Sequence, residues 1–384
     1  MRALLREAFE VRPGVGEAFA LLYDHVLKTP SHSRVAIFEG RVIGHALLAS
    51  RKFDLAGLSF RGGILAMVVV EEGNRGQGIG RALIYHLETF ARESGMVVLQ
   101  VSGDPRIYTK FGFIPAYVEA KAETAIKEMP FDRELRLAIP EDVSQLAKWS
   151  LDNRIFGAVV ADEGRWQWVL QTEHPKAMVQ CNNLLMGVYA QGDACLILDD
   201  VGFVRGCWAG ERFIIYEAGS SGDGTVERLL ASCLAWAYQI GCRRLTAFLP
   251  PRNQLLKLLA KHGAAVKIQE DYELQAKVIH VVQVLKSMSM VFSIRMLDSE
   301  IRGKLGLSVG NIQVELTIGD EVQVGQVDVI GNVDGHLGLS QAALTRAVLG
   351  VDLLHDPEND PVLEDLLARL FPQCGPFFCM ADSL

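Results

Sequence analysis

A plan that occurs twice along one chain constrains its fold more than any single motif. In the first third, Gly63 to Val70 is an apolar run whose β-branching is concentrated in Val68, Val69 and Val70, which reads as a strand. After a turn at Gly73-Asn74 and a glycine-rich loop, the stretch from Arg81 puts Leu83, Leu87 and Phe90 on one helical face until Gly95 ends it. Met96 to Val101 is again a strand, and a short helix follows around Pro105 to Lys110. Two earlier strands, Arg34 to Glu39 and Arg41 to Phe53, meet at Glu39-Gly40. The middle third repeats this order. Phe213 to Glu217 matches the apolar strand, Ser220-Ser-Gly-Asp-Gly the loop, Val226 to Tyr238 the helix and Arg244 to Leu249 the next strand. Two copies of one α/β unit are the economical reading, with a boundary near Met129-Pro130.

The last quarter has a different rhythm. Ile312 to Ile318 alternates apolar and polar residues, turns at Gly319-Asp320 and continues from Val322 to Val329, which is the pattern of a half-buried hairpin. Ser340 opens a helix that Gly350 closes, and Asp360-Pro361 opens another running to Leu370. This is a small α+β module. Charge divides the chain in the same way. Residues 1–135 and 136–295 each hold 17 basic against 16 acidic residues, whereas residues 296–384 hold 4 against 14, which accounts for the net charge of −8. A nucleic-acid surface needs clustered Lys and Arg, so that class of function is set aside.

The seven cysteines form no C-x-x-C pair and none lies in the first 180 residues, which argues against a disulfide framework. No apolar run approaches the roughly 18 residues of a spanning helix. The first ten residues carry charges of both signs, unlike a signal peptide. The expectation is a cytoplasmic protein with reduced thiols and no membrane span.

The sharpest chemical signal is Arg75-Gly76-Gln77-Gly78-Ile79-Gly80-Arg81, between an apolar strand and an amphipathic helix. Glycines let backbone N–H groups converge there, and a helix N-terminus adds about half a positive charge, so the loop suits a pyrophosphate, with Arg75 and Arg81 reinforcing it. It lacks the Gly-Lys-Ser/Thr of a phosphate-hydrolysing loop, and Arg81 stands where a dinucleotide fingerprint needs its third glycine.

Beyond it comes Gly103-Asp104-Pro105-Arg106-Ile107-Tyr108-Thr109-Lys110-Phe111-Gly112-Phe113. The two motifs, in this order, resemble the GNAT superfamily of acetyl-CoA-dependent N-acetyltransferases. The resemblance implies acetyl-CoA as cosubstrate and no metal. It places Val68, Val69 and Val70 along the pantetheine arm, Gly76 to Arg81 on the pyrophosphate, and Tyr108 as the general acid that returns a proton to the departing thiolate. No general base is evident in this part of the chain, because Ile64, Leu65 and Ala66 are apolar. In the second copy, Ser221-Gly222-Asp223-Gly224 has no Arg, and Leu259 stands opposite Tyr108, so that copy reads as degenerate.

Over the whole chain the order resembles the enhanced intracellular survival family, on Gly338 to Gly350, Leu370-Phe371-Pro372 and the ending Asp382-Ser383-Leu384. That resemblance implies two tandem GNAT folds, 1–130 catalytic and 131–294 degenerate, followed by a sterol-carrier-protein-like α+β domain at 295–384. It implies a homo-oligomer, a hexamer in that family. It also implies a proton acceptor supplied by the carboxylate of Leu384, with Asp382 or water as substitutes. The expected activity is transfer of acetyl to a primary amine of a cationic small molecule or a lysine side chain, the acidic last module attracting the cation. The alternative is an acyl-CoA- or lipid-binding protein without turnover.

Overall fold

In the computed structural model, which describes residues 1–11, 13–26, 31–55, 57–128, 135–152, 160–171, 192–351 and 361–372, the run ending in Val70 is part of a longer strand. The first half holds α1 (Arg2–Phe9), α2 (Val15–Val26), β1 (Ser31–Phe38), β2 (Arg41–Leu55), β3 (Leu58–Val70), α3 (Ile79–Glu93), β4 (Val98–Ser102), α4 (Pro105–Tyr108) and β5 (Ile114–Ala125). The next part holds β6 (Arg136–Leu137), α5 (Val143–Asp152), α6 (Glu163–Gln171), β7 (Gly192–Leu198), β8 (Gly202–Ala209), β9 (Arg212–Ser220), α7 (Val226–Gln239), β10 (Arg244–Leu249), α8 (Gln254–Lys261) and β11 (Ala265–Val278). The last part holds α9 (Val281–Ser287), α10 (Ser289–Met296), β12 (Gly303–Val309), β13 (Ile312–Ile318), β14 (Val322–Val327), β15 (Gly335–Leu339), α11 (Gln341–Val348) and α12 (Pro361–Leu370). Helices α1, α2, α5, α6, α9 and α10, and strands β5 to β8, β11, β12 and β15, are additions to the elements expected from the sequence. The expected boundary at Met129-Pro130 lies outside the described residues.

Strands β1 to β11 form one sheet in the order β1-β2-β3-β4-β11-β5-β10-β9-β8-β7-β6. Its centre is an exchange. β11, from the second half, lies antiparallel between β4 and β5, while β5 lies antiparallel against β10 of the second half. Neither half closes its own sheet, because each borrows the other's last strand. The two halves also share a register. Gly44 faces Val70 and His45 faces Val69, and at matching places Gly202 faces Ser220 and Phe203 faces Gly219.

The sheet's two faces explain the alternation in β2. Ala46 and Leu48 join Leu83, Leu87 and Phe113 under α3, whereas Leu47 joins Leu5, Phe19 and Leu22 under α1 and α2. The last module is a four-stranded sheet, β14-β13-β12-β15, whose apolar face is continuous with Val98, Ala116 and Val278 of the large sheet. Helix α11 docks it there: Thr345 Oγ1 accepts from Val278 N–H at 3.2 Å, and Arg346 Nη1 donates to Pro115 O at 2.7 Å. No helix among the described residues is long and apolar enough to cross a membrane.

Candidate functional site

The site begins where β3 and β4 separate. They pair in parallel from Gly62 opposite Val98 to Leu65 opposite Val101, and beyond that β3 runs on to Val70 without β4. The opposite edge of β3 stays on β2, with an irregularity. Between Leu47 opposite Ala66 and His45 opposite Val69, β2 has Ala46 alone and β3 has Met67 and Val68, which is a β-bulge. Met67 takes φ +50°, the left-handed region that side chains other than glycine rarely adopt. The result is a stretch at Val68, Val69 and Val70 that, among the described residues, has no strand paired on its β4 side. Part of that edge is engaged, since Arg75 Nε donates to Val70 O at 3.1 Å.

The glycine loop leads from this edge into α3. Gly76 and Gly78 sit at φ +79° and +81° with open space where a Cβ would lie, so they serve the backbone turn. Gly78 is the N-cap of α3; it offers no side-chain cap, and the first turn holds no acid. The first ladder bond runs from Ala82 N–H to Gly78 O, which leaves the amides of Ile79, Gly80 and Arg81 ahead of it. These amides and the positive end of the helix dipole are the features that an anion at a helix N-terminus uses. Ile79 and Gly80, expected in the loop, already belong to the helix. A Cβ on Gly80 would sit 3.6 Å from Val70 Cγ2, an ordinary van der Waals contact, so the packing of the helix on the strand does not itself demand a glycine here. Gln77 is exposed, and Arg81 lies with its guanidinium carbon 5.3 Å from the Tyr85 ring centroid.

Tyr108 reaches the cleft from the far side of β4. Asp104 caps α4 by accepting from Arg106 N–H at 2.9 Å, which turns the chain sharply after Gly103. The Tyr108 ring packs edge-on to Phe113 at 6.1 Å and lies so close to Gly103 that a Cβ there would be 2.7 Å from Cε2. Tyr108 shares one apolar cluster with Leu65 and Val101, where the strands part, and with Val68 and Ile79 at its margin. Burial pushes its phenol up to about 12, with no hydrogen bond offsetting the shift. The hydroxyl is therefore protonated at neutral pH and able to donate.

Several residues that hold this site were invisible as motifs. Lys277 on β11 donates to both Glu88 oxygens on α3, at 2.7 and 2.8 Å, and to Phe111 O at 2.8 Å, bracing the Tyr108-to-Gly112 segment. Gln275 Nε2 donates to Gly103 O at 2.9 Å, and Gly103 N–H to Glu273 O at 2.9 Å. These residues come from the exchanged strand, more than 160 positions away in sequence from those they support, so no local pattern announces them. His45, fully buried on β2, bonds Met67 O at the bulge. Asp382 and Leu384, the expected proton acceptors, lie outside the described residues.

The matching cleft of the second half is filled. Asn253 Nδ2 donates at 3.2 Å to Ala218 O, and Ala218 stands where the first half has Val68. The space left beside Ala218, Gly219, Ser220 and Asn253 is about 10 Å³, room for one water at most. Helix α7 also carries Glu227 in its first turn, a charge that would repel a phosphate.

Residues 1–113 match the acetyltransferase (GNAT) family. The chain is 33% identical over 115 residues, 29% of its length, to the uncharacterized N-acetyltransferase YhbS of Escherichia coli K12. It spans 64% of that relative's length. Among solved structures, a GCN5-related N-acetyltransferase from Kribbella flavida superposes with a TM-score of 0.73 at 15% identity, covering 98% of this chain and 96% of that one. Eis1 from Mycobacterium abscessus superposes with a TM-score of 0.64 at 16% identity, covering 97% and 98%. At such identities the likeness concerns fold, and it extends over nearly the whole chain. The chain has a mixed α/β architecture with GNAT-like sheets.

Proposed function

We propose that the chain is an acetyl-CoA-dependent N-acetyltransferase that acylates a primary amine on a cationic small molecule or a lysine side chain. The observation that carries this reading is that three features meet at one apolar cluster: Val68 at the start of the stretch beyond the β3–β4 ladder, Ile79 at the uncapped N-terminus of α3, and Tyr108 with its protonated hydroxyl. The residues fit the cosubstrate on their own chemistry. Amide donors and Arg75 and Arg81 suit a pyrophosphate, a free strand edge suits the two amides of pantetheine, and an apolar cluster with one phenol suits a thioester. Bound acetyl-CoA supplies an activated acyl group on sulfur.

The chain's own residues do the rest. The strand edge orients the thioester carbonyl and offers an N–H to the oxygen as it gains charge. The amine nitrogen, after giving its proton to the Leu384 carboxylate, to Asp382 or to water, bonds the carbonyl carbon. As the C–S bond breaks Tyr108 donates to the departing sulfur, and it regains a proton from solvent. Residues 1–130 act as the catalytic unit in this reading, 131–294 as a degenerate copy with its cleft closed by Asn253, and 295–384 as a sterol-carrier-like module. Thiol release from acetyl-CoA, screened against polyamines, aminoglycosides and lysine peptides, tests the proposal. Binding of CoA without thiol release across that panel would make the chain a CoA-binding protein instead.

A further inference from the structure

The bulge on β3 gives the cleft its free edge, and the structure shows what holds it. The Met67 carbonyl leaves the β2–β3 ladder and turns inward, where a carbonyl without a partner is costly. His45 Nδ1 lies 3.0 Å from that oxygen. A carbonyl only accepts, so Nδ1 carries the hydrogen, and Nε2 is then the acceptor for Ser33 Oγ–H at 2.7 Å. Both ring nitrogens are satisfied and the tautomer is fixed. The Tyr23 ring packs edge-on to the imidazole at 5.2 Å, closing it from solvent.

We infer that His45 is a positioning residue for the acyl-donor strand: its Nδ1–H holds the Met67 carbonyl, and so keeps the bulge in the register that turns Val68 to Val70 toward the cleft. The second half is bulged at a different place, with Tyr216 extra between Arg205 opposite Glu217 and Gly206 opposite Ile215, so the bond from His45 to a bulge carbonyl belongs to the first half. Without a donor, Met67 at φ +50° has nothing to offset its backbone strain. The strand then relaxes toward regular pairing, and a one-residue slip reverses which groups face the cleft.

The inference rests on the acetyltransferase reading, and its test separates the two. The full chain is titrated calorimetrically with CoA and with adenosine 3′,5′-bisphosphate, which lacks the pantetheine arm. His45→Leu is expected to weaken CoA binding by about tenfold while leaving the bisphosphate within about twofold, because only the arm uses the strand edge. His45→Asn places an amide Nδ2–H near the position of Nδ1–H and is expected to recover CoA affinity to within about threefold of the parent. Equal losses for both ligands, no loss for either, or an Asn variant as weak as the Leu variant overturns the role. If His45→Leu fails to fold, imidazole 15N shifts of the parent chain decide: protonated Nδ1 supports the bond to Met67 and protonated Nε2 excludes it. A parent chain that binds neither ligand refutes the acetyltransferase reading, while the tautomer still tests the bond.

Discussion

Lys277 and Glu88, 189 residues apart, form a buried ion pair in which the ammonium group bonds both carboxylate oxygens, at 2.7 and 2.8 Å. The pair ties the exchanged strand β11 to the helix that follows the glycine loop, and Phe111 O takes the third ammonium donor at 2.8 Å. At the matching place in the second half, Leu234 on α7 and Thr124 on β5 make no such pair, and a cavity of about 620 Å³ opens beside them. Lys277→Met leaves Glu88 buried with Arg92 as its remaining partner, and it is expected to cost about 1.5–3 kcal/mol in urea unfolding. Combining it with Glu88→Leu should recover part of that loss, since no half-paired carboxylate is then buried. A double variant less stable than Lys277→Met alone would contradict this.

Tyr108→Phe removes the donor but little volume. Thiol release is expected to fall by about tenfold or more, with CoA binding nearly unchanged. The raised phenol has a second consequence. The folded chain keeps this proton up to about pH 12, while an unfolded tyrosine loses it near 10, so between those values the folded state binds more protons. The stability contributed by Tyr108 is thus complete below pH 10 and lost as pH rises toward 12. Tyr108→Phe should flatten the alkaline decline in unfolding midpoint. A decline as steep as the parent's would assign it elsewhere, to Tyr117 for example, which burial also raises.

Gly103 is required by proximity. A Cβ there meets Tyr108 Cε2 at 2.7 Å, and the ring is already wedged against Phe113. Gly103→Ala is expected to displace the ring, cost about 1–3 kcal/mol and lower turnover more than CoA affinity. Denaturation midpoints together with steady-state kinetics measure both effects.

The uncapped start of α3 should bind anions through charge as well as amides. Arg75→Ala and Arg81→Ala are each expected to weaken CoA binding by about three- to tenfold and to reduce its dependence on salt concentration. Gly78→Ala, forced to hold φ +81°, should cost about 1–2 kcal/mol in stability and weaken CoA more than either arginine variant. Calorimetry at low and high salt distinguishes these effects.

His45 has its pKa lowered, chiefly by burial, with the bond to Met67 O working the other way. An unfolded histidine takes up a proton near pH 6.5 that the folded His45 resists, so the unfolded state binds more protons below that value. Stability is expected to fall as pH drops from 7 to 5, and to fall less in His45→Asn. Parallel pH profiles for the two proteins would remove His45 from the acid limb.

Much of the site was legible because its motifs are local. Gly76 and Gly78 are glycines for their positive φ, Asp104 caps the turn it precedes, and Val68 to Val70 continue an apolar strand; each is a property of a few adjacent residues. The repeated order of strand, loop, helix and strand was equally readable, since periodicity needs no partner. The short N-terminal helices escaped because α1 spans only Arg2–Phe9, too few residues for a clear period, and is fixed by packing against β2 and β3.

The sequence by itself determined the types of element, their order, and a phosphate-suited loop followed by a tyrosine motif. Tertiary structure alone decided that β5 and β11 change places, because strand exchange depends on which free edge each last strand meets, and both halves present similar edges. It alone decided that His45 meets the Met67 carbonyl and that Lys277 meets Glu88. Those contacts depend on bulge geometry and sheet order, which bring together residues that no spacing rule relates.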